Sequence, residues 1–472
     1  MTLSSSLPAR AVLLLAAAGL TVLFAYLSAE SIPHAILYAP AVVVGAALLL
    51  VTSRRPRWLF PAVAALSPVV LALPVLGAQV IPADVLVICL VLAWLFAGSR
   101  RTWNEAGWTV AMPLGALIVL CLVTLPISSN VGFGLVKIAQ RLEFLLLFAA
   151  TVALLRDGAM MRLTVGTYVL SCIVLAAVTL VYGLTQGIQA GGVNLLFYNK
   201  NAIAYFLAVA LPLVLARLLF GVPRRQLLWG AAAIVLGAGL VVSGSRGAWI
   251  AVAVAAAPLV AWRRRAALWP YAAVLVALVV VANTLLPPSL TRFSEFVPSN
   301  TLGPNVTAAT GGTVLSRLIL WRDALGIIAA HPLLGVGVGG YISYDTFQGN
   351  TYNFNTNDPH NAILYFWAEL GTGGLLVFLW LVSATFRSAA RATQAAGDGE
   401  TRWLALGILA ALLSYMVFSL TEPIWTRGDG LIFFMLVGMA VNLASLGGEE
   451  WRQRAGVPAS DPMAERQALS IR

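Results

Sequence analysis

The residues best suited to chemistry stand in a short polar segment, Asp358-Pro359-His360-Asn361, that directly precedes a long apolar run. His360 is one of only three histidines in a chain of 472 residues. A neutral imidazole at such a boundary can accept a proton near physiological pH, so the segment predicts a general base. The alternative interpretation is a histidine that packs against, or caps, the helix that follows it.

A second candidate is an anion-binding turn, Ser243-Gly244-Ser245-Arg246-Gly247, between two apolar runs. Glycine allows the backbone to approach a ligand closely, and a helix N-terminus offers free N–H groups with a partial positive charge. Arg246 would add a guanidinium, which binds phosphate through two parallel hydrogen bonds. The sequence therefore predicts a phosphate site at this turn. The competing interpretation is an arginine that anchors a helix end at the lipid headgroups.

The elements that must position these residues are predicted to be membrane-spanning helices. The chain is 60% hydrophobic and only 10% charged, whereas soluble domains carry about 25% charged residues. About fourteen apolar stretches are long enough to cross a hydrocarbon core of ~30 Å. They lie near 11–28, 33–52, 58–76, 82–98, 109–127, 135–155, 162–183, 200–219, 226–242, 246–262, 267–286, 361–384, 403–420 and 429–446. The sequence thus predicts an all-α polytopic integral membrane protein.

Two features of these stretches refine the prediction. The stretches 226–242 and 246–262 are separated by three residues and are predicted to form a tight hairpin. If stretches merge or one of them re-enters the membrane, the number of spans falls from about fourteen to about twelve. Cys89, Cys121 and Cys172 all lie within apolar runs, which predicts buried thiols without a disulfide or metal role.

The distribution of positive charge predicts the orientation of these helices. With a cytoplasmic N-terminus, 21 of the 29 Lys and Arg residues fall on one side of the membrane, as expected for cytoplasmic loops. Topology, and not nucleic acid, therefore accounts for the net charge of +11. The eight cations on the outer side are Lys137, Arg141, Lys200, Arg246, Arg292, Arg317, Arg322 and Arg427.

Several of the outer cations lie at predicted helix ends, where they could line one cavity for an anionic ligand. Lys137 and Arg141 could instead pair with Glu143 and Asp84. Acidic residues within membrane spans are costly and often functional, which draws attention to Glu369 and Glu422. Glu369 is predicted to orient a partner or to pair with an arginine.

The predicted organisation has four parts. Residues 1–286 form a transmembrane bundle of about eleven spans, residues 287–360 a long periplasmic loop, residues 361–446 three C-terminal spans and residues 447–472 a cytoplasmic tail. Within the loop, apolar residues at helical spacing predict an amphipathic helix from Thr313 to Ala330. His331-Pro332 should end it, because the residue before proline avoids the α region.

The glycine-rich run 335–340 looks like a nucleotide loop, but it falls on the outer side, where nucleotides are scarce, so we reject a nucleotide site. No metal-binding motif is present in the sequence, so no metal or other cofactor is predicted.

Five motifs, taken together and in order, resemble the O-antigen ligase and O-antigen polymerase superfamily. They occur within residues 243–374, under a third of the chain. The motifs are Ser245-Arg246-Gly247-Ala248-Trp249, Ser316-Arg317 with Trp321, His331-Pro332-Leu333-Leu334-Gly335-Val336-Gly337, Pro359-His360-Asn361 and Glu369-Leu370-Gly371.

The resemblance implies a helical bundle of the GT-C type. It also implies an inverting, metal-independent glycosyltransferase that moves a glycan from undecaprenyl diphosphate to an acceptor sugar hydroxyl. It makes His360 the general base and assigns diphosphate contacts to Arg246 and Arg317. These three residues are the predicted catalytic set. The predicted substrate-binding residues are Arg141, Lys200, Arg322, Arg427 and Glu369.

The implied setting is the bacterial inner membrane, with both termini cytoplasmic and the active site periplasmic. The partners would be the lipid-linked donor, a glycolipid acceptor and membrane lipids, and no nucleic acid. A ligase, with lipid A–core as acceptor, is the favoured interpretation. A polymerase, which extends another lipid-linked repeat unit, is the alternative, and fourteen spans slightly favour it because ligases of this family typically have fewer.

A protein of another class, a flippase or transporter for a lipid-linked glycan, would use the same arginines for binding without chemistry. Such transporters often contain inverted repeats, and the sequence shows no repeat. A structural membrane scaffold would not need the outer set of arginines and histidine.

Overall fold

The computed structural model describes residues 56–70, 73–75, 78–96, 105–186, 200–221, 225–285, 313–342, 358–397, 399–422, 425 and 428–455. The spans predicted near 11–28 and 33–52, together with Arg292 and Arg427, lie outside the described residues. In chain order the elements are α1 (Leu59–Leu66), β1 (Leu73–Val75), β2 (Ala78–Val80), α2 (Pro82–Phe96), α3 (Glu105–Thr124), α4 (Val131–Leu154), α5 (Gly158–Gln186), α6 (Lys200–Phe220), α7 (Gln226–Ser243), α8 (Arg246–Arg263), α9 (Leu268–Leu285), α10 (Thr313–Ala330), α11 (Ala362–Ala395), α12 (Glu400–Phe418) and α13 (Gly428–Ala455).

The protein is a helical, multi-pass membrane protein. Within the described residues, seven helices are long and apolar enough to cross a bilayer. They are Gly107–Ile127, Gly158–Gln186, Lys200–Phe220, Gln226–Ser243, Ala362–Ala395, Glu400–Phe418 and Gly428–Leu446. The fourteen spans and the periplasmic location of the long loop stay predictions.

The stretch 58–76, predicted as one span, is not a continuous helix. Its helix, α1, has eight residues and is about 12 Å long. The chain after Pro68 forms the short antiparallel pair β1–β2, in which Leu73 faces Val80. Ser67 still has α-helical backbone angles, with φ −54° and ψ −40°, but the next residue, Pro68, has no N–H to continue the helical hydrogen bonds. The prediction of a full-length span here was wrong, because apolar composition alone does not reveal where a helix breaks.

Two other predicted features are present. The turn between α7 and α8 is formed by Gly244, in the left-handed conformation with φ 71°, and Ser245. The turn is held by Trp249, whose Nε1 donates to the Leu240 carbonyl at 3.0 Å. Helix α10 begins at Thr313 and ends at Ala330, directly before His331-Pro332, so its bounds are as predicted. Its apolar face is not as predicted, because Leu318 and Leu325 are exposed, whereas the buried residues are Leu320, Ala324, Ile327 and Ile328.

The last helix, by contrast, continues to Ala455, into the segment predicted as a tail. The three cysteines are free and buried, as predicted.

The helices alternate in direction between two ends of the bundle. At one end, Arg217 near the end of α6 and Arg162 near the start of α5 both pair with Glu400 at the start of α12. At the other end, the Tyr205 ring near the start of α6 lies 4.4 Å from that of Phe418 at the end of α12. Helices α6 and α12 are therefore antiparallel, as the charge count requires for their loops.

Candidate functional site

The site is built around the segment that follows α12, Ser419–Glu422, which we call the α12 terminus. The backbone N–H of Ala362, the first residue of α11, donates to the Ser419 carbonyl at 2.9 Å. The Asn361 side chain donates to the Leu420 carbonyl at 3.2 Å. These bonds fix the start of α11 against the end of α12 within the membrane bundle.

His360 is held in an uncommon backbone conformation at this junction. Its φ is 52°, in the left-handed region that few residues other than glycine adopt. The conformation is stabilised on both sides of His360. Its N–H donates to Asp358 Oδ1 at 2.7 Å. The next residue, Asn361, caps α11 by accepting from the N–H groups of Ile363 and Leu364. Strain of this kind is common at functional sites.

Glu422 connects the predicted base to one of the predicted arginines. Its side chain is only 2% exposed. One carboxylate oxygen, Oε1, accepts from Arg317 Nη2, and the other, Oε2, lies 3.3 Å from Nδ1 of His360. A buried carboxylate without partners would cost several kcal/mol, so the contacts with Arg317 and His360 stabilise the charge of Glu422.

The electrostatic environment shifts the proton affinity of two residues at this junction. Burial by itself would lower the pKa of His360, but contact with the Glu422 carboxylate and the charge of Asp358 raise it, while Arg317 opposes the rise. Burial raises the pKa of Asp358, although His360 and Lys137 oppose that rise. The net rise at His360 favours the imidazolium near the acidic partners and strengthens the imidazole as a proton acceptor.

A close contact between helices places Arg246 near the α12 terminus. It begins α8 and is half-buried. A Cβ on the next residue, Gly247, would overlap the Thr421 hydroxyl and crowd the ring of Phe418. Gly247 therefore allows α8 to approach the α12 terminus one residue away from Glu422, and Arg246 comes with it.

A second charged cluster lies beside the first, between α4 and α11. Lys137 Nζ contacts the Tyr365 hydroxyl and lies 3.4 Å from Glu369 Oε1. Arg141 donates to the Lys137 carbonyl at 3.0 Å and reaches the Tyr365 hydroxyl at 3.5 Å. Glu369 is fully buried and pairs with Lys137; the sequence predicted that it would orient a partner or pair with an arginine. The Tyr365 N–H donates to the carbonyl of Asn361, the residue after His360, at 2.8 Å, so the two clusters are adjacent.

Part of the chain is similar to a known protein family. Residues 231–379 match the sequence model of a family described as O-antigen ligase. The match covers 149 of the 472 residues and supports a likeness of this segment to the O-antigen ligase superfamily. The matched segment contains three residues of the site, Arg246, Arg317 and His360, and ends before Glu422. No curated protein matches the sequence.

The O-antigen ligase domain and the apolar helices together support a membrane glycosyltransferase of the ligase or polymerase type. They imply lipid-linked glycans as the general class of substrate. The matched residues run from α7 to α11 and include the whole of α10.

The other predicted site residues are placed in different ways. Lys200 begins α6 at the same end of the bundle as the site. Arg322 lies on α10, five residues after Arg317, and is largely exposed, with its guanidinium 3.0 Å from Asp323 on the same helix. Arg427 lies outside the described residues. The expected pairing of Lys137 and Arg141 with Glu143 and Asp84 was wrong for Lys137, because Glu369 of α11 lies closer in space.

Four residues of the described site were not among the predicted site residues. Lys137 had been noted only as one of the outer cations. Glu422 had drawn attention only as an acid at the edge of a span. Asp358 was visible as part of Asp-Pro-His-Asn, and its place two residues before His360 is a common side-chain capping position. Tyr365 gave no signal in the sequence, because a tyrosine within an apolar run is indistinguishable from a packing residue.

Proposed function

We propose that this protein transfers a glycan from undecaprenyl diphosphate to a sugar hydroxyl of a glycolipid at the periplasmic face of the bacterial inner membrane. The favoured activity is that of an O-antigen ligase, with lipid A–core as the acceptor. The observation that carries the proposal is the buried carboxylate of Glu422, which holds Arg317 and His360 together. A base and an anion-binding group side by side are what this displacement requires.

The proposed reaction is a single displacement at the anomeric carbon. The acceptor oxygen forms the new bond as the bond between the anomeric carbon and the diphosphate oxygen breaks, so the configuration inverts. The proton of the acceptor hydroxyl passes to His360, and the bonding electrons leave with the diphosphate. Glu422 faces Nδ1 of His360, so a proton on that nitrogen leaves the lone pair of Nε2 for the acceptor hydroxyl.

The developing negative charge on the diphosphate would be met by Arg317 and Arg246. A guanidinium has five N–H donors in a rigid fork. Arg317 can therefore keep its contact with Glu422 while its remaining N–H groups bind phosphate oxygens. Stabilisation of a departing oxyanion by preorganised donors is among the largest single contributions to catalysis. Arg141, Lys200 and Lys137 would extend the same positive surface toward the lipid-linked donor.

We propose that the positive charge for the reaction comes from these side chains and not from a bound metal. Among the described residues, no three His, Cys, Asp or Glu side chains are grouped as a metal site. The two carboxylates beside His360 already have partners. Glu422 contacts Arg317 and the imidazole of His360, and Asp358 accepts from the backbone N–H of His360.

Reconstitution tests the proposal directly. Purified protein in detergent, given a lipid-diphosphate-linked glycan and a lipid A–core acceptor, is expected to form the glycosidic bond without a membrane gradient and in the presence of EDTA. A product ladder from the donor alone would identify a polymerase in place of a ligase. A flippase would form no bond in detergent, and that result would contradict the proposal.

The pH dependence of transfer provides a second test, through Glu422→Gln. The neutral imidazole is the active base, so activity falls as pH drops through the His360 pKa. Glu422 raises that pKa above its ordinary value, which is about 6.5. In Glu422→Gln the acid limb of the kcat/KM profile is therefore expected to move to lower pH.

The same shift has a linked effect on stability. Because the folded-state pKa of His360 is raised, the stabilising contribution of the pair is fully present below the unfolded-state pKa. It is lost as pH rises through the folded-state pKa.

For the kinetic test, an acid limb of the kcat/KM profile at the same pH in the wild type and in Glu422→Gln would contradict the role of Glu422 as the partner of His360.

A further inference from the structure

The glycine-rich segment that follows α10 is in direct backbone contact with three other parts of the bundle. We call this segment, His331–Gly340, the glycine latch. Gly335, Gly337 and Gly339 all have positive φ, at 65°, 84° and 74°. A Cβ on the first would overlap the backbone of α11, on the second that of the α3–α4 connection, and on the third that of α4. The alternate glycines thus let one segment touch three neighbours.

The glycine latch forms hydrogen bonds with α11 where that helix is interrupted. The backbone at Gly371 is non-helical, with φ 67° and ψ −167°, which leaves nearby backbone groups without helical partners. The latch supplies them. Val336 N–H donates to the Ala368 carbonyl at 3.0 Å, and Thr372 N–H donates to the Pro332 carbonyl at 2.8 Å. Unpaired backbone groups inside a protein are costly, so the broken helix and the latch stabilise one another.

The residue after the glycine latch, Tyr341, packs against α10. Tyr341 follows the latch, is fully buried, and its hydroxyl lies 3.4 Å from the Leu320 carbonyl of α10. It packs in one apolar cluster with Ala324, Ile327 and Ile328 of α10. Helix α10 is therefore fixed at its C-terminal end by the latch and along one face by this cluster.

Arg317 stands at the far end of α10 from the latch. Thirteen residues separate it from Ala330, which at 1.5 Å per residue is a lever of about 20 Å. A tilt of about 5° at the latch would move the Arg317 end by nearly 2 Å. A misplacement of about 1 Å at a catalytic group can cost about 10²-fold in rate.

We propose that the glycine latch sets the direction of α10 and thereby holds the Arg317 guanidinium against Glu422, beside His360. Gly335 and Gly371 are then positioning residues for a group far from both of them. The catalytic consequence rests on the proposed function, whereas the geometric one does not.

A distance measurement tests the geometric part without any substrate. Spin labels at Leu318→Cys on α10 and Leu376→Cys on α11 replace two exposed side chains, with the three buried cysteines changed to alanine. Gly335→Ala is expected to shift or broaden the label-to-label distance by about 2 Å. The matched control is Gly326→Ala on α10, where a Cβ would meet no atom within 4 Å, and it should leave the distance unchanged.

A transfer assay tests the catalytic part with the same pair of variants. Gly335→Ala is expected to lower transfer by about 10²-fold, with the pH profile unmoved because His360 and Glu422 keep their contact. Gly326→Ala should match the wild type. If Gly335→Ala fails to fold, Thr372→Val replaces it. That substitution removes only the side-chain bonds of Thr372, to the Pro332 carbonyl at 2.8 Å and from Trp367, and should give a smaller shift in the same direction.

The outcomes separate the two proposals. An unchanged distance in Gly335→Ala and Thr372→Val would overturn the latch as a positioning device. A shifted distance with wild-type transfer would overturn its link to catalysis. If the wild-type protein forms no glycosidic bond, that result contradicts the proposed function alone. The label-to-label distance still shows whether the glycine latch sets the direction of α10.

Discussion

His360→Ala is expected to lower glycan transfer by about 10²–10⁴-fold, which is the usual contribution of a general base. The acceptor hydroxyl would have to attack without giving up its proton, while donor binding through the arginines would persist. The measurement is the transfer rate with saturating lipid-linked donor, beside the donor KM. The donor KM is expected to change little, because His360 acts on the acceptor.

The control for this prediction is a second substitution, chosen to suit the backbone conformation of His360. His360 has a φ of 52°, and asparagine is one of the few residues that adopt such a conformation readily. His360→Asn therefore separates loss of the base from strain in the backbone. Both variants should lose transfer equally while remaining folded. Near-normal transfer by a well-folded His360→Asn or His360→Ala protein would end the assignment of His360 as the base.

Arg317→Ala is expected to lower kcat by about 10²–10³-fold, as removal of a single oxyanion donor does in other enzymes. The guanidinium would act where charge develops on the departing diphosphate. Arg317→Lys keeps the charge but loses the planar fork, so it should recover only part of the rate. The measurement is single-turnover transfer, which separates the chemical step from donor binding.

Two further variants make this result interpretable. Arg317→Ala leaves Glu422 buried without its cation, so Arg317→Ala combined with Glu422→Gln removes that added cost. Arg322→Ala is the matched arginine on the same helix. Its guanidinium is largely exposed and pairs with Asp323, so at most a fewfold loss is expected. Equal losses in Arg317→Ala and Arg322→Ala would contradict the specific role of Arg317.

Local patterns predicted much of the architecture around the site. The bounds of α10 followed from apolar spacing and from the proline after His331, and both are set by neighbouring residues. The turn between α7 and α8 followed from Ser-Gly-Ser between two apolar runs. The stretch 58–76 was not predicted correctly by such local patterns. Its composition is apolar throughout, yet β1 after Pro68 pairs with β2, because hydrogen bonds between two strands can satisfy backbone that is not helical.

The partners of the charged residues could not be predicted in the same way. The partners suggested for Lys137 by the sequence were Glu143 and Asp84. Its partner is Glu369, which is more than two hundred residues away along the chain. Glu422 is likewise distant from both of its partners, Arg317 and His360. Charge and periodicity predict which residues stand at a helix end, but not which helices pack side by side.

By itself, the sequence determined that this chain is a helical membrane protein. It also placed His360 and Arg246 at predicted helix boundaries and Arg317 within the predicted helix from Thr313 to Ala330, in motifs that resemble the O-antigen ligase superfamily. Those features depend on composition, charge and short-range spacing. Only the tertiary structure decided that Glu422 joins Arg317 to His360, and that the alternate glycines of the latch fit into a broken helix. Both depend on close contact between segments far apart in the chain, where a buried charge or an open backbone group is stable only if the fold brings its partner to it.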